Sequence, residues 1–312
     1  IMDTADMPTE MGSPAFRGWQ PAADAACVQA LRAGGAVIVG KTATTAFATG
    51  GPCETTNPFD ARRTPGGSSS GTGAAVGSGM LPAGLGTQTQ GSTLRPASYN
   101  GAVGFKPTHG ILSMQGVHPI SITHDHLGVI AGSLEDAWRV ASHLSLTHGS
   151  PGHPYLTGAA EKPPAARAPK KLICLRTSRW EAETDDATRK AFDDLLAALR
   201  TAGVTIADRQ SDASVTAFEQ ELEGEFTQTA LDITAYEMKW PYAQYCARHG
   251  KLIEDRVHER MSRARAMTPA DYEHAMSVKR ATQKRALAFA TDAGADGFIT
   301  LASSGPAQIG LQ

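Results

Sequence analysis

No long run of lysine and arginine occurs in this sequence. Its 29 basic and 31 acidic residues are interspersed and leave a net charge of −2. A nucleic-acid surface or a polybasic membrane patch needs a concentrated positive field, so neither is expected. Nowhere do about 18 apolar residues follow one another, as a membrane-spanning helix requires. Cysteine is scarce as well. The four present, Cys27, Cys53, Cys174 and Cys246, are far apart and form no CxxC pair. They read as separate thiols of a reducing compartment, which points to the cytoplasm, and not as a disulfide frame or a zinc site. No secretory leader is visible at the start, but the chain opens Ile1-Met2-Asp3-Thr4 without an initiating methionine. The missing targeting segment therefore carries little weight.

What is present describes a globular chain. Its 312 residues, 41% hydrophobic and 19% charged, have room for one large domain or two ordinary ones. Pro21 to Leu31 places Ala25, Val28 and Leu31 near helical spacing and runs into Gly34-Gly35, a glycine stop. Ala36-Val37-Ile38-Val39 is a β-branched run of the kind buried in a parallel sheet. Residues 50–110 are rich in Gly, Ser, Thr and Pro, and a stretch of that length in a compact protein is expected to carry function. Composition shifts to Pro, Ala, Gly and Lys at 148–170, a connection. Beyond it, Leu172-Ile173-Cys174-Leu175 predicts a strand, Asp185 to Thr201 a helix, and Val204-Thr205-Ile206 another strand. Thr268-Pro269-Ala270-Asp271 reads as a capping box opening a helix to about Thr291. Phe298-Ile299-Thr300-Leu301 returns to the sheet. There is no internal repeat, and the alternation of strands and helices specifies an α/β protein.

Three short patterns invite functions that their surroundings oppose. Gly35 to Thr42 fits GxxxxGK[ST], yet the residues that should curl around a phosphate are themselves the predicted strand, and the helix precedes them. Gly67-Ser68-Ser69-Ser70-Gly71 fits the GxSxG elbow with Ser69 central, but Arg62-Arg63-Thr64-Pro65-Gly66 cannot be the hydrophobic strand that an elbow needs. His124 and His126 flank Asp125 without a further Cys or Glu cluster, a weak basis for a metal.

The unusual glycine-serine segments make better sense together. Thr64-Pro65-Gly66-Gly67-Ser68-Ser69-Ser70-Gly71, then Gly86-Thr87-Gln88-Thr89-Gln90-Gly91-Ser92-Thr93-Leu94-Arg95-Pro96-Ala97, then Gly104-Phe105-Lys106-Pro107-Thr108-His109-Gly110 closely resemble the amidase signature family. Gly40-Lys41-Thr42, Asn57-Pro58, Asp125-His126-Leu127-Gly128 and Gly305-Pro306-Ala307 are further matches. The resemblance is strong over about residues 1–142, weak through the middle, and returns near 295–312.

The resemblance implies amide cleavage by a Ser-Ser-Lys triad without metal or cofactor. Carried over by motif, Ser92 is the nucleophile and Ser68, whose peptide bond the family holds cis, is the proton relay. The N–H groups of Thr89, Gln90, Gly91 and Ser92 would form the oxyanion hole, where each fixed donor can lower the barrier by about 3 kcal/mol. This chain departs from the family in having Gln88 in place of the usual Asp, and Gln90 in place of the usual Gly. A φ above zero at Gln90 would be strained. Lys41 is not expected to be the base. The family's lysine lies much farther ahead of the cis serine, in a Lys-Asp or Lys-Glu pair that would fall upstream of Ile1, and the 312-residue chain alone is then expected to be nearly inactive.

The implied fold is a mixed, twisted α/β sheet with helices on both faces, incomplete at both termini. Residues 1–150 would be the core with the catalytic serines, 151–295 a variable, mainly helical part shaping the substrate pocket, and 296–312 a return to the core sheet, all within one amidase domain. A small-molecule amide is the expected partner, with no nucleic acid and no membrane, and a homodimer is compatible with this. The enzymatic alternative is one component of an amidotransferase that works on aminoacyl-tRNA. A non-catalytic binding protein on the same scaffold is the other.

Overall fold

The computed structural model describes residues 1–150, 152–158, 162–176 and 179–311, so part of the connection expected at 148–170 lies outside the described residues. In chain order the elements are α1 (Ala26–Ala33), α2 (Ser70–Gly77), β1 (Ala83–Gln88), α3 (Leu94–Tyr99), β2 (Val103–Phe105), β3 (His126–Ala131) and α4 (Leu134–His148). There follow β4 (Lys171–Cys174), α5 (Arg179–Glu183), α6 (Asp186–Thr201), β5 (Thr205–Ala207) and α7 (Ala213–Glu221). The last are α8 (Thr227–Glu237), α9 (Lys239–His249), α10 (Asp255–Ala266), α11 (Pro269–Asp292) and β6 (Gly297–Ile299). This is a mixed α/β protein. Its residues divide into two compact units, one of 1–164, 237–264 and 307–312, the other of 165–236 and 265–306.

The first unit is built on an antiparallel sheet in the order β1-β3-β2. Central β3 alternates its faces, as a strand buried on both sides must. Val129 and Ala131 pack with Ala137 and Ala141 of α4, while Ile130 packs with Val76 of α2 and Ala97 of α3. Register sets Gly86 opposite Gly128 and Gln88 opposite His126. The small residues of β1 let α2 lie close, since a Cβ on Gly84 would stand 2.7 Å from Thr72 Cγ2.

Two expectations at the start of the chain change. Helix α1 begins at Ala26 rather than near Pro21, because the Ala25 and Ala26 N–H groups donate to the carbonyls of Asp3 and Gln115. It ends at the glycine pair, with Gly35 at φ +85°. Ala36-Val37-Ile38-Val39 is not a strand. Val37 and Val39 are 83% and 70% exposed, and no described strand pairs with the segment. A β-branched run becomes a buried strand only where a neighbour accepts its ladder bonds.

The second unit carries a parallel sheet in the order β5-β4-β6. Helix α6 covers one face through Phe192 and Leu196 against Cys174 and Ile206. Helices α7 and α11 cover the other through Val215, Phe218 and Phe289 against Ile173 and Ala207. The strands predicted at 172–175, 204–206 and 298–301 are β4, β5 and β6, each within a residue or two. The capping box forms as expected. Thr268 Oγ1 accepts the Asp271 N–H at 3.2 Å, and Asp271 Oδ2 accepts the Thr268 N–H at 2.7 Å.

Candidate active site

The first serine segment is a tight loop leading into α2. Gly66 takes φ +76°, and a Cβ there would stand 2.9 Å from Tyr99 Cδ2 and 3.1 Å from Pro96 Cα, so both its conformation and its contacts require glycine. The Gly67–Ser68 peptide bond is cis. Both of its flanking carbonyls are held. Gly67 O accepts from Arg95 Nε at 3.1 Å and Nη2 at 2.7 Å. Ser68 O accepts the Thr45 N–H at 3.2 Å and the Thr44 hydroxyl at 3.0 Å.

The three neighbouring serines play different parts. Ser70 opens α2. Ser69 is committed to structure, with its Oγ accepting the Thr87 N–H at 3.3 Å. Ser68 is 4% exposed, yet its Oγ has no hydrogen-bond partner among the described residues. An unpaired buried hydroxyl costs on the order of 1–3 kcal/mol, which makes Ser68 a candidate functional position.

Ser92 lies in the turn between β1 and α3, half-buried. Its carbonyl accepts the Ser69 N–H at 3.3 Å, which joins the two serine segments directly. Gly91 beside it takes φ +145°. Along Thr89, Gln90, Gly91 and Ser92, no backbone N–H donates to a described residue. Successive uncommitted donors next to a nucleophile candidate are what stabilisation of a developing oxyanion requires.

The two glutamines that depart from the family pattern fit this turn without strain. Gln88 Oε1 accepts the N–H groups of Thr93 and Leu94, each at 3.0 Å, and so caps the first turn of α3. Gln90 is exposed and is not among the residues with positive φ, so no strain arises there.

A buried carboxylate fixes the turn from the other side. Asp125 Oδ1 accepts the Thr89 hydroxyl at 2.6 Å, and Oδ2 accepts the N–H groups of Ile120 and Ser121 at 2.7 and 2.9 Å. Burial raises the Asp125 pKa, and these hydrogen bonds oppose the rise. Next along β3, His126 Nδ1 lies 2.6 Å from His124 O and 3.3 Å from Gln88 O. Two carbonyl partners require the proton on Nδ1.

Burial, helped by the Lys106 ammonium, lowers the His126 pKa to about 4. The unfolded imidazole titrates near 6.5, so the unfolded state binds the extra proton first as pH falls. This contribution to stability is complete above pH ~6.5 and is lost as pH falls toward about 4. Thermal unfolding scans between pH 7 and 4 should show a falling midpoint for the native chain. The slope should be shallower for His126→Asn, which keeps a donor but does not titrate.

The remaining candidates lie elsewhere. Lys41 Nζ donates to Thr9 Oγ1 at 2.5 Å, and Lys106 Nζ to Pro107 O at 2.8 Å. Neither lysine donates to Ser68 or Ser92. His109 meets the His126 ring edge-on at 4.9 Å. Among the described residues, no group of three His, Cys, Asp or Glu side chains is placed to hold a metal ion.

The model of the family described as Amidase matches residues 1–296. The chain belongs to the amidase family. Among its relatives, a glutamyl-tRNA(Gln) amidotransferase subunit from Maridesulfovibrio salexigens is 44% identical over 143 residues, 44% of this chain and 29% of that protein. The protein of the same name from Symbiobacterium thermophilum is 39% identical over 170 residues, 53% of this chain and 34% of its own. The matches thus span about a third of these relatives' length. Among solved structures, Kluyveromyces lactis allophanate hydrolase aligns over 97% of this chain and 49% of its own, with a TM-score of 0.78 and 26% identity.

Some of what shapes this candidate site had no signal in the sequence. Phe47 and Ala48 take φ +52° and +56°, and the turn they form presents the Thr45 N–H to Ser68 O. Neither residue type advertises a left-handed conformation. Glu237 reaches the loop before Asp125 from a region where family likeness is weak: its Oε2 accepts the Ser121 hydroxyl at 2.5 Å and the Thr123 N–H at 3.1 Å.

Proposed function

We propose that this amidase-family chain hydrolyses a small carboxylic amide to acid and amine through an acyl-enzyme on Ser92. Ser92 Oγ attacks the carbonyl carbon and its proton leaves through Ser68. The oxygen's developing charge falls to the N–H groups of Thr89, Gln90, Gly91 and Ser92. The C–N bond then breaks as the amine takes the proton, and water hydrolyses the ester. One observation carries this reading: a buried serine hydroxyl without a partner among the described residues is tied, through the Ser69–Ser92 hydrogen bond, to a serine that ends a row of four amides donating to no described residue. The family resemblance assigns the base to a neutral lysine upstream of Ile1, and the hydrogen bond of Lys41 to Thr9 supports a structural part for Lys41. No metal or cofactor takes part in this scheme. No described helix is long and apolar enough to cross a membrane. A cytoplasmic location fits four cysteines that form no disulfide, three of them buried. A homodimer is compatible with this reading.

The identity to glutamyl-tRNA(Gln) amidotransferase proteins favours a second reading, in which the amide cleaved is that of glutamine and the ammonia passes to an acylated tRNA held by a partner. One experiment separates the readings. The full-length gene product is incubated with an aryl anilide, with glutamine, and with a fluorophosphonate that labels activated serines. Arylamine release together with labelling is the expected result. Ammonia from glutamine with no arylamine would favour the transferase. Neither turnover nor labelling would overturn both and leave a binding protein.

A further inference from the structure

We infer that Glu237 is a positioning residue that holds the oxyanion turn in place through the loop before Asp125. The inference rests on the proposed reading of residues 89–92 as the oxyanion hole. Glu237 ends α8, and its Oε2 accepts both the Ser121 hydroxyl, at 2.5 Å, and the Thr123 N–H, at 3.1 Å. Hydrogen bonds to a carboxylate are shorter and about twice as strong as those between neutral groups. A second grip comes from the same stretch of chain: Tyr242 of α9, wholly buried, donates its hydroxyl to Pro119 O at 3.2 Å. Loop 119–123 is therefore held at its first and last residues by Tyr242 and Glu237.

Between these grips, the loop's own N–H groups at Ile120 and Ser121 converge on Asp125 Oδ2. The other oxygen of that carboxylate holds the Thr89 hydroxyl at 2.6 Å. A displacement of the loop must then either break two bonds to a buried carboxylate or carry Asp125 with it. The second course moves Thr89, whose N–H begins the row of uncommitted donors. Tyr242 cannot follow such a shift, because its ring is fixed against Phe47, His118 and Tyr245 at centroid distances of 5.5, 5.5 and 5.7 Å. The cluster also links to the relay serine, since Phe47 sits in the turn whose Thr45 N–H donates to Ser68 O. Residues 237–242 thus brace both halves of the site. Glu237 is the charged member of the brace.

The test compares Glu237→Ala, Glu237→Gln and Ser121→Ala with the native full-length protein by backbone hydrogen exchange and by kinetics. In Glu237→Ala, exchange should accelerate in peptides covering 119–125 and also in those covering 86–94. On the aryl anilide, kcat should fall about tenfold with KM changed less than about threefold, less than the loss of a whole oxyanion donor. Glu237→Gln keeps an acceptor oxygen in place and should recover most of the rate. Ser121→Ala should lose a smaller share and add little to Glu237→Ala. Faster exchange confined to 119–125, or a rise in KM with kcat intact, would overturn the inference. If the native protein neither turns over nor labels, the proposed function fails by itself, and the exchange pattern at 86–94 still decides the role of Glu237. Should Glu237→Ala not fold, Glu237→Gln and Ser121→Ala carry the same two readouts.

Discussion

Replacing Ser92 with alanine in the full-length gene product should lower kcat by a factor on the order of 10⁶ and abolish fluorophosphonate labelling, with folding unchanged. The size follows from the role. Without the hydroxyl no acyl-enzyme forms, and only the rate that the oxyanion donors and substrate binding provide remains. The neutral effect on folding follows from the structure, because Ser92 Oγ makes no hydrogen bond with a described residue; a surface-type change of this kind stays within about 0.5 kcal/mol. Ser68→Ala is the informative companion. It should cost less rate, about 10²–10⁴-fold, as removal of a proton-transfer group does. In the 312-residue chain it should also raise stability by about 1 kcal/mol, because it removes a buried hydroxyl that has no partner among the described residues. Activity and stability moving in opposite directions at one residue is the mark of a position kept for function at a cost in stability. A Ser92→Ala protein that still turned over would assign the nucleophile elsewhere, with Ser68, whose hydroxyl has no partner among the described residues, the next candidate.

The serine segments were legible because each depends on residue types with few substitutes. Gly66 has a left-handed φ and no room for a Cβ, and of the following serines Ser69 bonds Thr87 and Ser70 opens α2, while the Ser68 hydroxyl is without a partner among the described residues. The atoms that crowd Gly66 come from Tyr99 and Pro96, but the constraints fall on a few consecutive residues, so they leave a local pattern. The helix opened by Thr268 was legible for the same reason: its cap is a matter of four consecutive residues. Strand β1 left no such trace. Ala83-Gly84-Leu85-Gly86-Thr87-Gln88 lacks alternation, because its glycines serve the approach of α2 rather than a sheet face. Val37 and Val39 misled in the opposite sense. Their β-branched pattern is real, but a strand is a property of two segments and only one was in view. Glu237 illustrates the same limit within the site. A glutamate ending an ordinary helix becomes meaningful only once residue 121, more than a hundred positions earlier, stands beside it.

Gly71→Ala should destabilise the fold by about 2 kcal/mol and disable the site, although alanine is by itself the better helix former by about 1 kcal/mol. Gly71 is the second residue of α2, buried, with ordinary helical backbone, so conformational freedom is not what it supplies. It supplies space. A Cβ at this position would stand 2.6 Å from Ala43 N, 2.7 Å from Ala43 O and 2.9 Å from Thr42 Cβ. Two of those atoms are backbone, and the Gly71 N–H itself donates to Ala43 O at 2.9 Å. The clash therefore cannot be relieved by turning a side chain. Either α2 or segment 42–45 must move, and both hold Ser68, one by continuing from it and the other through the Thr44 and Thr45 bonds to its carbonyl. Overpacking of this kind exceeds the propensity gain, which decides the sign. Gly40→Ala is the control, with nothing within 4 Å of its Cβ and no positive φ, and it should be neutral within about 0.5 kcal/mol. Chemical denaturation of the two variants, with fluorophosphonate labelling of the full-length protein, checks both halves. Equal stability of the two would show that α2 can shift without cost. Retained labelling in Gly71→Ala would show that the serine loop does not depend on where α2 begins.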